Sequence, residues 1–144
     1  HKFPLFDGFD FAKFEEEKFI QSKIATIIEA FDLGMQSVIA ANKNSALAKT
    51  KNYVQFHKYA LDELELKFSE GEFDRIIMHI TTKDEASLNE IYYQALFLLK
   101  PKGTLLIIGR KGFELSVSNK FKLLSEEEIR RGESFYKVWV MEKR

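Results

Sequence analysis

The sequence predicts a three-layer α/β fold: an open, mostly parallel sheet with helices on both faces, closed by an antiparallel hairpin. Three observations carry that prediction. Apolar runs of strand length alternate with stretches of helical periodicity along much of the chain. The run "EFDRIIMHI" leads into an amphipathic stretch and then into "TLLIIG", the order of a strand–helix–strand crossover. The tail "FKLLSEEEIRRGESFYKVWVMEKR" instead holds two segments separated by Gly132, with Val138 and Val140 alternating with Lys137, Trp139 and Met141.

Each element follows from local chemistry. The opening "HKFPLFDGFDFA" is aromatic and irregular, and Pro4 argues against a central strand because it cannot donate to a ladder. From Lys13 to Leu33, Ile20, Ile24, Ile27, Ile28 and Phe31 recur at helical spacing, with Glu15, Glu16 and Glu17 near the start and Gly34 as the stop. A strand is expected at Ser37–Ala41, a short helical piece at Ala46–Lys51, and a second strand at Tyr53–His57. "ALDELELKF" has the length for one brief helical turn. "EFDRIIMHI" reads as a strand buried on both faces. In "TTKDEASLNEIYYQALFLL", Thr82 and Glu85 offer a capping box, and Leu88, Ile91, Tyr92, Ala95 and Leu99 line one face. Pro101 and Gly103 turn the chain into "TLLIIG", and a final strand is expected from Phe135 to Glu142. With no internal repeat and no low-complexity linker, residues 1–144 read as a single domain.

Composition narrows the function classes. Basic and acidic residues balance at 22 each, so no global field directs the chain to nucleic acid or an anionic membrane. The chain has no cysteine, which excludes disulfides and thiolate metal sites within it. Three histidines, at positions 1, 57 and 79, do not make a metal set by spacing. The apolar runs are too short to span a bilayer, no leader is read at the start, and a cytoplasmic location is the expectation. There is no phosphate loop, no H-E-x-x-H and no nucleophile elbow.

One family resemblance is legible. "EFDRIIMHI", a capped helix and "LLKPKGTLLIIG" together resemble the second half of class I S-adenosylmethionine-dependent methyltransferases. In that family an FD-plus-apolar strand, a helix and a Leu-Lys-Pro-Gly-Gly turn follow in this order. Asp74, Leu99, Lys100, Pro101 and Gly103 match, and Lys102 replaces the first glycine. The closing strand pair also resembles that family's inserted hairpin. The resemblance implies a Rossmann-like sheet, either complete or one strand–helix unit short.

The same resemblance implies a glycine-rich loop after the first strand and a carboxylate at the end of the second that binds the cofactor's ribose. No G-x-G occurs among the seven glycines. With "SVIAAN" as the second strand, Asn42 stands in the acid's place. With it as the first, "NKNSA" stands in the loop's place. In both registers Asn42, Asn44 and Ser45 are the candidate cofactor-binding residues, whose amides and hydroxyl can donate and accept. His79, near a strand tip that faces substrate in the resembled family, is the candidate catalytic base. Arg110 and Lys111, with Lys43, are candidates for phosphate or RNA backbone. Thr81 and Thr82 read as helix caps, Asp62, Glu63 and Glu65 as a solvated turn, and the five phenylalanines from Phe3 to Phe14 as core or a partner-binding patch.

Two functions stay open. The favoured one is a degenerate methyltransferase-like domain that holds no cofactor in the usual way and serves as a binding or assembly module, with a protein partner or a second copy. The other is an active S-adenosylmethionine-dependent methyltransferase with a non-standard pocket.

Overall fold

A computed structural model describes residues 27–81 and 84–144. The chain divides into two compact units, His1–Lys58 and Tyr59–Arg144. The irregular start, its phenylalanines and the helix read from Lys13 lie outside the described residues, except for that helix's last turns.

In the first unit, β1 (Ile28–Phe31) is followed by α1 (Met35–Leu47) and β2 (Val54–His57). The strands pair in parallel, Ile28 opposite Val54 and Phe31 opposite His57. Two expectations are corrected here. Ile28–Phe31 is a strand rather than the end of a helix, because pairing with β2 outweighs the helical spacing of its isoleucines. Ser37–Ala41 is not a strand but the middle of α1. The least exposed residues of α1 are Val38, Ala41, Asn42 and Ser45, a helical stripe at three- and four-residue spacing. Because that stripe is mostly small and polar, the β-branched pair Val38-Ile39 dominates the local pattern, although Ile39 is exposed. Gly34 therefore precedes a helix instead of ending one.

In the second unit, a 3-10 helix at Leu61–Leu66 leads to β3 (Phe73–His79), α2 (Glu85–Leu98), β4 (Leu99–Arg110), β5 (Phe121–Arg131) and β6 (Ser134–Lys143). The strand order is β3-β4-β6-β5, so the hairpin inserts β6 beside β4. β3 and β4 are parallel, and the β4–β6 and β5–β6 pairs are antiparallel. The amphipathic face of α2 lies on one side of this sheet. Ile91, Tyr92 and Ala95 share a buried cluster with Leu105, Ile107, Trp139 and Met141, and each large side chain there contributes roughly 1.5–3 kcal/mol. The Tyr92 hydroxyl donates to the Ser116 carbonyl at 2.9 Å, and burial pushes its phenol pKa up. β3 is not buried on both faces as expected. Ile76 and Met78 pack on the core, whereas Ile77 is 68% exposed.

Both ends of α2 are closed by side chains. Thr82 lies outside the described residues, and the cap is Asp84, whose carboxylate accepts from the Ser87 N–H at 2.8 Å and hydroxyl at 2.7 Å. Those bonds hold the Asp84 carboxyl below its usual range. At the other end, Lys143 of β6 donates to the carbonyls of Leu96 at 2.6 Å and Leu99 at 2.7 Å. A cation there also complements the helix dipole.

The Leu-Lys-Pro-Lys-Gly turn explains its own sequence. Lys102 adopts a left-handed backbone, φ 65°, at the position where the resembled family carries glycine. A Cβ on Gly103 would lie 2.8 Å from the Lys100 carbonyl, so no side chain fits there. Lys100 Nζ pairs with the Asp74 carboxylate at 2.9 and 3.0 Å, which links the two halves of the motif. Among the described residues no helix is long and apolar enough to cross a membrane.

Two stability measurements check this packing. Lys143→Met removes both bonds to the end of α2, and the urea midpoint should fall with unchanged slope, a loss of about 1.5–3 kcal/mol. Lys102→Gly relieves a left-handed strain of about 1–2 kcal/mol against a glycine entropy term of about 0.5–1 kcal/mol. It should therefore raise stability, by up to about 1 kcal/mol.

Candidate functional site

Binding chemistry in open α/β sheets gathers at the carboxyl ends of parallel strands, and each unit presents such an end. In the first unit, β1 runs directly into Asp32. The Asp32 N–H donates to the His57 carbonyl at 3.2 Å, extending the ladder by one residue. Its carboxylate Oδ1 accepts from the Gly34 N–H at 2.6 Å, just ahead of α1. A Cβ at Gly34 would lie 3.0 Å from that same oxygen, so glycine lets the backbone fold closely over the acid. One oxygen is oriented by backbone, and the carboxylate keeps acceptor capacity toward solvent. Below it, His57 Nε2 and Glu29 Oε2 are 2.6 Å apart across the two strands.

The residues expected to bind cofactor all lie on α1. Asn42, Asn44 and Ser45 stand inside α1, none at a strand end. The Ser45 hydroxyl meets the Thr50 hydroxyl at 3.0 Å, and its carbonyl accepts the Thr50 N–H at 2.9 Å. Asn42 is half-buried and Asn44 exposed. The expected placement of Asn42 at a strand end is thus corrected: it lies inside α1, and the residue that follows β1 is an acid, Asp32. The signal was present as "EAFDLG", an apolar run ending in an acid with glycine two residues on, but the helical reading of Ile24 to Phe31 hid it.

In the second unit, the tips of β3 and β4 meet as expected. Ile80, Thr81, Arg110, Lys111 and Phe113 line an open cleft of about 390 Å³. The Ile80 N–H bonds the Ile108 carbonyl at 2.9 Å, holding the two strand ends together. His79 is not among the lining residues; its exposed ring sits edge-on to Tyr136, centroids 6.1 Å apart. Lys111 Nζ reaches Glu128 at 3.3 Å and lies 4.8 Å over the Phe135 ring. Asp62 and Glu63 sit on the 3-10 helix, where the Glu63 carboxylate accepts from the Ala60 N–H at 3.0 Å, and Glu65 accepts from the Tyr93 hydroxyl at 2.7 Å. Glu63 and Glu65 thus serve local structure. Lys43 is exposed on α1. Among the described residues no cluster of three metal-ligating side chains occurs.

No protein-family model matches the sequence, and no curated protein matches it. Solved structures do. TrmN from Thermus thermophilus superposes with a TM-score of 0.66 at 22% identity, over 82% of this chain and 36% of that one. An rRNA methylase from Streptococcus thermophilus gives 0.61 at 14% identity, over 81% and 73%. The [4+2]-cyclase SpnF gives 0.64 at 12% identity, over 82% and 66%. The chain thus spans about a third of TrmN and most of the rRNA methylase. That a cyclase shares the architecture shows that the fold alone does not specify the reaction. The strand order with its inserted hairpin and these likenesses agree: the chain has the Rossmann-like fold of S-adenosylmethionine-dependent methyltransferases.

Proposed function

We propose that this domain binds the nucleoside half of S-adenosylmethionine through the carboxylate of Asp32 and acts in methyl transfer. One observation carries the reading: an acid follows a parallel strand and lies two residues ahead of the next helix's cap, with one carboxylate oxygen 2.6 Å from the Gly34 nitrogen. A ribose presents two adjacent hydroxyl donors, and an ionised carboxylate offers two acceptor oxygens in matching geometry. Asp32 would hold the ribose, and the bound cofactor would supply the methyl group. The rRNA methylase among the similar structures is consistent with such chemistry, and the substrate of this chain is left open.

A second reading has its own support. With Asp32 as the acid, a glycine-rich loop belongs ahead of β1, and residues 1–33 contain a single glycine, Gly8, and no G-x-G. Side chains there would crowd the methionine part of the cofactor. On that reading the domain is a degenerate, methyltransferase-like module that engages a protein partner or a second copy of itself.

Calorimetric titration with S-adenosylmethionine and S-adenosylhomocysteine separates them. Cofactor binding predicts a dissociation constant tighter than about 100 µM, or about 5.5 kcal/mol. Asp32→Asn should weaken it about tenfold or more through loss of a charge-assisted bond, while Asn42→Ala should leave it unchanged. No heat with either ligand at millimolar concentration would overturn the cofactor reading and leave the module.

A further inference from the structure

We propose that the cleft at the carboxyl ends of β3 and β4 binds an oxyanion carried on an apolar, ring-sized body. The proposal concerns the second unit alone and does not depend on the role of Asp32. Its floor is apolar and firmly placed. Ile80 and Phe113 are 4% and 6% exposed, and the Phe113 ring packs edge-on against Trp139 with centroids 5.8 Å apart. Gly109 leaves room for both rings, since a Cβ there would lie 3.1 Å from Trp139 and 3.3 Å from Phe113.

The rim is cationic by construction. Arg110, Lys111, Gly112 and Phe113 form a tight turn, with the Phe113 N–H donating to the Arg110 carbonyl at 3.0 Å. Gly112, at the third position, has φ 84°, a left-handed value that suits glycine. The Lys111 N–H bonds the Phe135 carbonyl at 2.9 Å, tying the turn to β6. Arg110 and Lys111 therefore line the cleft beside Thr81 and the apolar floor, although the Lys111 ammonium itself rests against Glu128 and the Phe135 ring.

Charge decides the ligand class. Among the described residues no carboxylate lines the cleft. Lys111 is already shared with Glu128 at 3.3 Å, a partly exposed pair that contributes little and can be rearranged. Arg110 pairs with no carboxylate among the described residues, so its planar fork is available for a bidentate oxyanion. A cleft of about 390 Å³ lies at the lower end of the range for small-ligand pockets. That space suits one aromatic or similarly sized ring with a carboxylate or phosphate attached.

The test is an amide-detected NMR titration of the full chain with phenyl phosphate and benzoate, beside inorganic phosphate and benzyl alcohol. Both aryl oxyanions should shift the amides of Thr81, Lys111, Gly112 and Phe113, and Arg110→Gln should weaken them about tenfold. Inorganic phosphate should bind more weakly, and benzyl alcohol should not bind. A response to phenyl phosphate alone identifies phosphate as the oxyanion, and a response to benzoate alone identifies carboxylate. Equal binding of benzyl alcohol, equal binding of inorganic phosphate, an unchanged Arg110→Gln titration, or no shifts at these amides would each overturn the proposal. No nucleoside is present in this experiment, so its failure leaves the reading of Asp32 standing, and the reverse also holds.

Discussion

The second unit depends on the packing of β4 between a parallel and an antiparallel neighbour. Leu105 and Ile107 are fully buried on one face of that strand, level with Met141 and Trp139 on β6 and with Ile76 and Met78 on β3. This row of side chains receives α2, and α2 in turn is held at its ends by Asp84 and by Lys143. Once β4 is placed, its carboxyl end is placed as well. The turn from Arg110 to Phe113 then brings Arg110 and Lys111 to the cleft beside its apolar floor without a long loop. Rigid strands thus position the four-residue turn at the cleft.

The first unit repeats the same logic on a smaller scale. A parallel pair needs a crossover, and α1 is that crossover. The strand that precedes it must therefore end where the helix begins, so the residue at the junction faces the same end as the tip of β2. Asp32 occupies that junction. Its bond to the Gly34 N–H gives a negative charge a place at the amino end of α1, where the helix dipole favours it. The acid is held by the backbone, so a ligand would meet an oriented carboxylate instead of a free one.

Much of the second unit was legible in the sequence. The crossover from Phe73 to Arg110 and the closing hairpin carry large apolar residues at clear period, so pattern and packing agree. Lys102 was visible as a departure from the glycine of the resembled family, and the structure gives the departure a physical meaning in its left-handed backbone. The first unit was legible only in part, for two reasons. Its helix presents Ala41, Asn42 and Ser45 on its less exposed stripe, and such residues leave almost no hydrophobic period to read. Its first strand has only four residues, and their isoleucine spacing continues a helical pattern. Tertiary pairing with β2, which no local window contains, decided the strand. Asn42, the residue expected at a strand end, stands ten residues beyond Asp32, which follows β1.

The central claim is that the ligand-facing end of the first unit is Asp32 and the backbone that follows it, not the asparagine-rich stretch within α1. Amide shifts on titration with adenosine alone test it most directly, since adenosine carries the ribose diol without the methionine part that a missing glycine loop would obstruct. The largest shifts are expected at Asp32, Leu33 and Gly34, with Asn42, Asn44 and Ser45 unmoved. Shifts centred on Asn42 to Ser45, or a silent Asp32 at saturating adenosine, would contradict it.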